Sequence, residues 1–230
     1  MKASLRLKNW LKVRMDLGGI PYKMLRWIYL KVVFPIQRRS WRKKAGAGFD
    51  AEENLHMCSL LPKKTLDYIV GRYRPRSWLD VGCGTGAALK YVQRLGVDGW
   101  GLENSALAIR ESGIAERITR VDLTSPYDLG REFDLVWCYE VAEHLPESAA
   151  DGLLETICRH GSTVLISAAV PGQGGEGHVN EQPIEYWVKR MRGRGYEVDQ
   201  ETTAEVQQLH ELFSGNLVCY KRGRESSHPL

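Results

Sequence analysis

From about residue 77 onward, short β-branched or apolar runs alternate with stretches whose apolar positions recur at helical spacing. This rhythm predicts parallel strands joined by crossover helices. The runs predict strands at residues 77–81, 99–103, 118–122, 133–139, 163–168, 196–201 and 217–221. Helices are expected at 85–95, 105–113, 147–160, 183–192 and 204–212. Pro183 suits a helical first turn, where its missing N–H removes a donor that has no partner anyway. The last two strands are joined by a short segment, so the final strand is expected to return antiparallel. The fold class expected is therefore α/β and Rossmann-like: a seven-stranded, mostly parallel sheet with an antiparallel last strand, helices on both faces, and an N-terminal helical arm.

Upstream of this core, residues 22–34 are rich in Met, Leu, Trp, Ile and Val, while Lys23, Arg26 and Lys31 share one side at about 100° per residue. The pattern predicts an amphipathic helix, followed by the basic run 37–44. Residues 45–76 read as a helical lid or packing segment broken at Pro62 and Pro75, and 223–230 as a flexible tail. The domains expected are thus an arm at 1–44, the segment 45–76, a catalytic domain at 77–222, and the tail.

Composition changes the picture at two points. With 230 residues, 43% of them hydrophobic and 26% charged, the chain can fill one α/β core, which excludes a disulfide-stapled miniprotein and a disordered chain. The mean hydropathy of −0.35 and the lack of a long uncharged apolar run argue against an ordinary membrane-spanning protein. The net charge of +4 averages two unlike parts. Residues 1–44 hold 13 Lys and Arg against Asp16 alone, and the remainder holds 19 basic and 27 acidic residues. Five scattered cysteines, Cys58, Cys83, Cys138, Cys158 and Cys219, fit a reducing cytoplasm better than disulfides or zinc. No secretory signal is read in the basic N-terminus.

The strongest chemical signal is Trp78-Leu79-Asp80-Val81-Gly82-Cys83-Gly84-Thr85-Gly86, an apolar strand ending in an acid and a glycine-rich turn that opens a helix. Glycines let a ligand approach the backbone closely. Gly82, Gly84 and Ala87 also satisfy the permissive dinucleotide pattern, so an NAD-binding oxidoreductase stays an alternative. Against it, the carboxylate of Asp80 would repel a pyrophosphate and suit a cationic, ammonium-bearing ligand. Glu103, ending the next strand, can accept both hydroxyls of a ribose, and Asp122, ending the third, can accept from an adenine amino group.

These residues resemble the class I S-adenosylmethionine-dependent methyltransferases over about residues 77–222, with residues 79–86 similar to their first motif. The resemblance implies S-adenosylmethionine as cofactor, with a binding set of Asp80, Gly82, Cys83, Gly84, Gly86, Glu103, Asp122, Leu123, Tyr139 and Glu140. It also implies that the methyl group is presented at the carboxyl ends of strands one and four.

The second constellation is residues 133–145, a buried strand emptying into Glu140-Val141-Ala142-Glu143-His144. This Glu-x-x-Glu-His pattern resembles the divalent-metal ligands of small-RNA 2′-O-methyltransferases and of ubiquinone-pathway O-methyltransferases. His178 follows the fifth strand within the Gly-rich stretch 171–182 and can join the same cleft. The tentative metal set is Glu140, Glu143, His144 and His178, whose oxygen and imidazole donors suit Mg, Mn or Fe(II). The same four residues are the candidate catalytic set, with His144 or His178 as general base in the absence of a metal. The loop 171–177 is expected to act as a lid carrying His178, Asn180 and Gln182. The stretch 178–187 is similar to that of bacterial methyltransferases of glycan and secondary metabolism.

The reading is a methyltransferase acting on a hydroxyl of a small-molecule or saccharide-like acceptor. Alternatives are a metal-dependent RNA 2′-O-methyltransferase, the oxidoreductase, and a donor-binding protein without catalysis. For the arm at 1–44, packing on the catalytic domain or on a second subunit as a homodimer, or service as a lid, ranks before contact with an anionic membrane surface, and nucleic acid ranks last. The location expected is cytoplasmic, with the arm allowing peripheral membrane contact.

Overall fold

The computed structural model describes residues 61–223. The arm at 1–44, residues 45–60 and the tail lie outside the described residues. In chain order the described elements are α1 (Lys63–Tyr73), β1 (Ser77–Val81), α2 (Ala87–Arg94), β2 (Asp98–Glu103), α3 (Ala106–Ser112), β3 (Ile118–Arg120), β4 (Leu135–Tyr139), α4 (Ala150–His160), β5 (Thr163–Ser167), α5 (Ile184–Arg192), β6 (Tyr196–Val198), α6 (Gln200–Gln208) and β7 (Val218–Arg222).

The strands form one seven-stranded sheet in the order β3-β2-β1-β4-β5-β7-β6. Strands β1 to β5 pair in parallel, as helix crossovers require. Only β7 runs the other way: it inserts between β5 and β6 and pairs antiparallel with both. The reversal of strand order between β1 and β4 leaves a crevice at their carboxyl ends, where open α/β sheets bind ligands.

Why the strands read as continuous apolar runs is visible in their burial. Along β4, Val136 and Cys138 enter the core beneath α4 and α5, while Leu135 and Trp137 enter the core beneath α1, α2 and α6. Successive residues point to opposite faces, and both faces are covered. The first core takes Leu153, Leu154 and Ile157 from α4 and Trp187 and Met191 from α5; the second takes Leu66 and Ile69, Leu89 and Val92, and Val206. Each fully buried side chain of this kind contributes about 1.5–3 kcal/mol relative to exposure.

The boundaries differ from the sequence pattern where polar side chains intervene. Residues 200–201 do not extend the sixth strand: the Asp199 side chain accepts from Thr202 N at 3.2 Å and starts α6 four residues earlier than the periodicity suggests. Nor does α6 run to 212, and His210 and Leu212 adopt positive φ angles beyond its end. Phe133 makes only an isolated bridge to Gly161, while the Asp134 carboxylate accepts from Arg76 N and Ser77 N, so β4 begins at Leu135. Pro183 is the N-cap of α5 rather than its first residue. Helix α1 buries Leu66 and Ile69 in the second core. Among the described residues no helix is long and apolar enough to cross a membrane.

Candidate active site

The turn after β1 is built on glycine. Gly82, Gly84 and Gly86 hold φ of +78°, +55° and +66°, a region that disfavours side chains. Gly82 N and Cys83 N both donate to Leu102 O on β2, at 2.8 and 3.0 Å, which draws the turn over the neighbouring strand. Cys83 itself is buried, packed so closely on Gly101 that a Cβ there would lie 2.6 Å from its Sγ.

Two carboxyls sit in this cradle. One oxygen of Glu103, at the end of β2, accepts from Gly84 N at 2.8 Å; the other accepts from Asn104 N and Ser105 N, each at 2.8 Å. Asp80 is buried beneath the turn, and burial, with the Glu103 charge second, pushes its carboxyl up to about 8. A pyrophosphate would meet two acids here and find Gly84 N already bonded. A cation would instead relieve the burial of Asp80, so the residues fit an ammonium- or sulfonium-bearing donor. Asp122 lies beyond the end of β3, exposed, with Thr124 N donating to it at 2.9 Å and holding its carboxyl below the usual range. Leu123 turns into the core beside it.

The second cluster grows from the end of β4. The Tyr139 ring stacks on Trp137, and its Oη accepts from Phe213 N at 3.1 Å. Glu140 holds the left-handed region at φ +54°, uncommon for a residue with a side chain. Its carboxylate accepts from Ser167 Oγ and from Gln173 Nε2 at 2.9 Å, and Gln173 Oε1 accepts from Asn216 Nδ2 at 2.6 Å. Burial pushes Glu140 up against the lowering effect of these bonds.

Glu143 is fully buried, and among the described residues neither carboxylate oxygen has a hydrogen-bond donor. Burial and the nearby Glu140 charge raise it well above the usual carboxylate range. Its carbonyl accepts from Val179 N at 2.8 Å and Asn180 N at 3.1 Å, which ties down the loop between β5 and α5. Burial, then the nearby His178, depress His144 to about 4, so its imidazole is neutral at physiological pH. The two imidazoles meet edge to face, with centroids 5.0 Å apart.

Glu143, His144 and His178 bring ligand-capable atoms within 4.8 Å of one another. A buried carboxylate without a donor beside two imidazoles is a donor set that fits a hard or borderline divalent cation. Glu140 is not one of these three, but it adjoins them: its carboxylate accepts from Ser167 and Gln173 and also interacts with the Glu143 carboxyl. Asn180 and Gln182 are engaged with each other at 2.9 Å and with the backbone. Sequence reasoning did not single out Ser167, Gln173, Glu181 or Asn216. Ser167 was within reach of pairing logic, since β5 places it opposite Tyr139, whereas the contact of Gln173 with Asn216 spans 43 residues.

A family model described as a methyltransferase domain matches residues 49–201. No protein of curated function matches the chain significantly. Among solved structures, the sugar N-methyltransferase KedS8 from Streptoalloteichus sp ATCC 53650 superposes with a TM-score of 0.57 at 18% identity, over 81% of this chain and 93% of that one. An S-adenosylmethionine-dependent methyltransferase from Clostridium acetobutylicum ATCC 824 gives 0.57 at 12% identity, over 75% and 96%. The small RNA methyltransferase HEN1 gives 0.54 at 16% identity, over 74% of this chain but 26% of that one. At such identities the likeness is one of fold.

Proposed function

The chain belongs to the class I S-adenosylmethionine-dependent methyltransferases, and from that premise we propose that it methylates a hydroxyl of a small-molecule or saccharide-like acceptor. The observation that supports this reading is the meeting of two imidazoles and a buried carboxylate beyond β4 and β5, next to the strand that carries the glycine turn.

S-Adenosylmethionine, when bound, supplies a methyl group on a positively charged sulfur. Asp80 and the backbone of 82–86 would hold its cationic end, Glu103 the ribose hydroxyls, and Asp122 the adenine amino group. His178 would take the proton of the acceptor hydroxyl as that oxygen receives the methyl group. His144, neutral over the physiological range, offers a lone pair that orients the acceptor. Proton abstraction of this kind contributes about 10²–10⁴-fold, whereas correct in-line placement is worth about 7–11 kcal/mol. The packed walls of the cleft therefore matter more than the base.

The test is calorimetry with the donor, followed by turnover on a panel of glycosides offering free hydroxyls or free amines, read by the position of a ¹³C-methyl label. Binding of NAD in place of the donor sinks the assignment, and label on nitrogen alone corrects the acceptor atom.

A second reading, cation-assisted transfer to an RNA 2′-hydroxyl, is favoured by the two donorless oxygens of Glu143. Mg, Mn or Fe(II) held by Glu143, His144 and His178 would supply acidification of an acceptor hydroxyl. Turnover that survives exhaustive chelation and shows no steep salt dependence removes this reading.

A further inference from the structure

Between β5 and α5, the Glu181 carboxylate gathers three contacts. Gly174 N at 2.7 Å and His178 Nδ1 at 3.1 Å reach one oxygen, and Gly172 N reaches the other at 2.8 Å. A carboxylate that accepts from two backbone N–H groups is held in its ionised form, which has no hydrogen to give. The hydrogen between Glu181 and His178 therefore sits on Nδ1, and in the neutral ring the lone pair is left on Nε2. Gly175 completes the seat, because a Cβ there would fall 2.1 Å from His178 Nε2 and 2.4 Å from its Cε1.

We propose that Glu181 is a positioning residue that locks His178 in the Nδ1–H tautomer, making Nε2 the nitrogen available to the acceptor. Glycines at 172 and 174, both at positive φ, let two alternate amides turn onto the carboxylate, so the same anion that ties the loop also sets the imidazole. This is the arrangement by which carboxylates fix the tautomer of catalytic and metal-bound histidines. The tautomer follows from the geometry alone; its consequence for turnover rests on the function proposed above.

The tautomer is read by ¹⁵N NMR of the full chain labelled at histidine, at a pH where the ring is neutral, with His178→Ala assigning the signal. The expected wild-type spectrum has a protonated Nδ1 and a bare Nε2. Glu181→Ala should return the ring to the Nε2–H form that an unconstrained histidine side chain prefers. Gly175→Ala, at a backbone conformation open to alanine, should displace the ring with little change in Tm, and it decides the matter if Glu181→Ala fails to fold. A wild-type Nε2–H ring, or a spectrum unmoved in both variants, overturns the proposal.

In turnover on an acceptor from the glycoside panel, Glu181→Ala should lower kcat at least tenfold with donor KM unchanged, and add little in a His178→Ala background. Losses that multiply in the double variant overturn the positioning role. Should no acceptor turn over, the function proposed above fails while the NMR result still decides the tautomer.

Discussion

At Gly82 the backbone takes φ +78°, and a Cβ would lie 2.5 Å from Val141 Cγ2. Gly82→Ala combines left-handed strain of about 1–2 kcal/mol with that clash. Donor binding should be lost by calorimetry, and Tm should fall by several degrees, at about 2–4 °C per kcal/mol for a chain of this size. On the neighbouring strand, Glu103→Ala strips acceptors from Gly84, Asn104 and Ser105, so donor affinity should drop at least tenfold. Asp80 adds a pH dependence whose sign is fixed by its raised value of about 8. Below that pH the carboxyl is protonated, and a cationic donor binds best to the ionised form. Donor affinity should therefore climb with pH, by up to about tenfold per unit, and level off above about 8. Calorimetry in buffers of different ionisation enthalpy should show proton release at pH 7, and Asp80→Asn should abolish it.

Asp199 joins three elements. It caps α6 through Thr202 N, accepts from Tyr73 Oη of α1 at 2.9 Å, and pairs with Lys221 Nζ of β7 at 2.7 Å. Against the upward push of burial, hydrogen bonds from Lys221, Thr202 and Tyr73 bring its carboxyl down to about 2. Its folded value lies below the unfolded one, so its contribution is complete above about pH 4 and is lost as pH falls through 2. Asp199→Ala should cost about 1–3 kcal/mol in urea unfolding at pH 7, with the gap to wild type closing in acid. The same residue explains a boundary that periodicity misplaced. Residues 196–201 read as a strand because Tyr196 and Val198 alternate with polar neighbours, but a local Asp-to-Thr cap wins over a weak period-two signal once Thr202 and Thr203 are buried.

Across the whole molecule the buried acids and the buried imidazole pull stability in opposite directions. Asp80, raised when folded, favours the folded state at low pH and loses that contribution as pH rises to about 8. His144, depressed to about 4, leaves the unfolded chain the better proton acceptor between about 4 and 6.5, so stability rises with pH over that window. Glu143, raised to about 9, adds to the decline set by Asp80, so urea midpoints should fall from about pH 4.5 to 8, most gently below 6.5 where His144 opposes the fall; His144→Gln should steepen that first stretch and Asp80→Asn should make the whole decline shallower.

The strand-and-helix rhythm, the antiparallel last strand and the glycine turn at 82–86 were legible from the chain alone. Periodicity and a contiguous turn motif are local properties that survive any uncertainty about what packs against what. The acids Asp80, Glu103 and Asp122 were legible for the same reason, each standing at the end of an apolar run. Only the tertiary structure decided that Glu140 bonds Ser167 and Gln173 beside Glu143, and that the Glu181 carboxylate meets His178 at Nδ1. It also decided which of these groups are buried and hence where their protons reside. Those outcomes depend on side chains that meet across strands and loops and on the water excluded when they meet, neither of which has a signature in the order of residues.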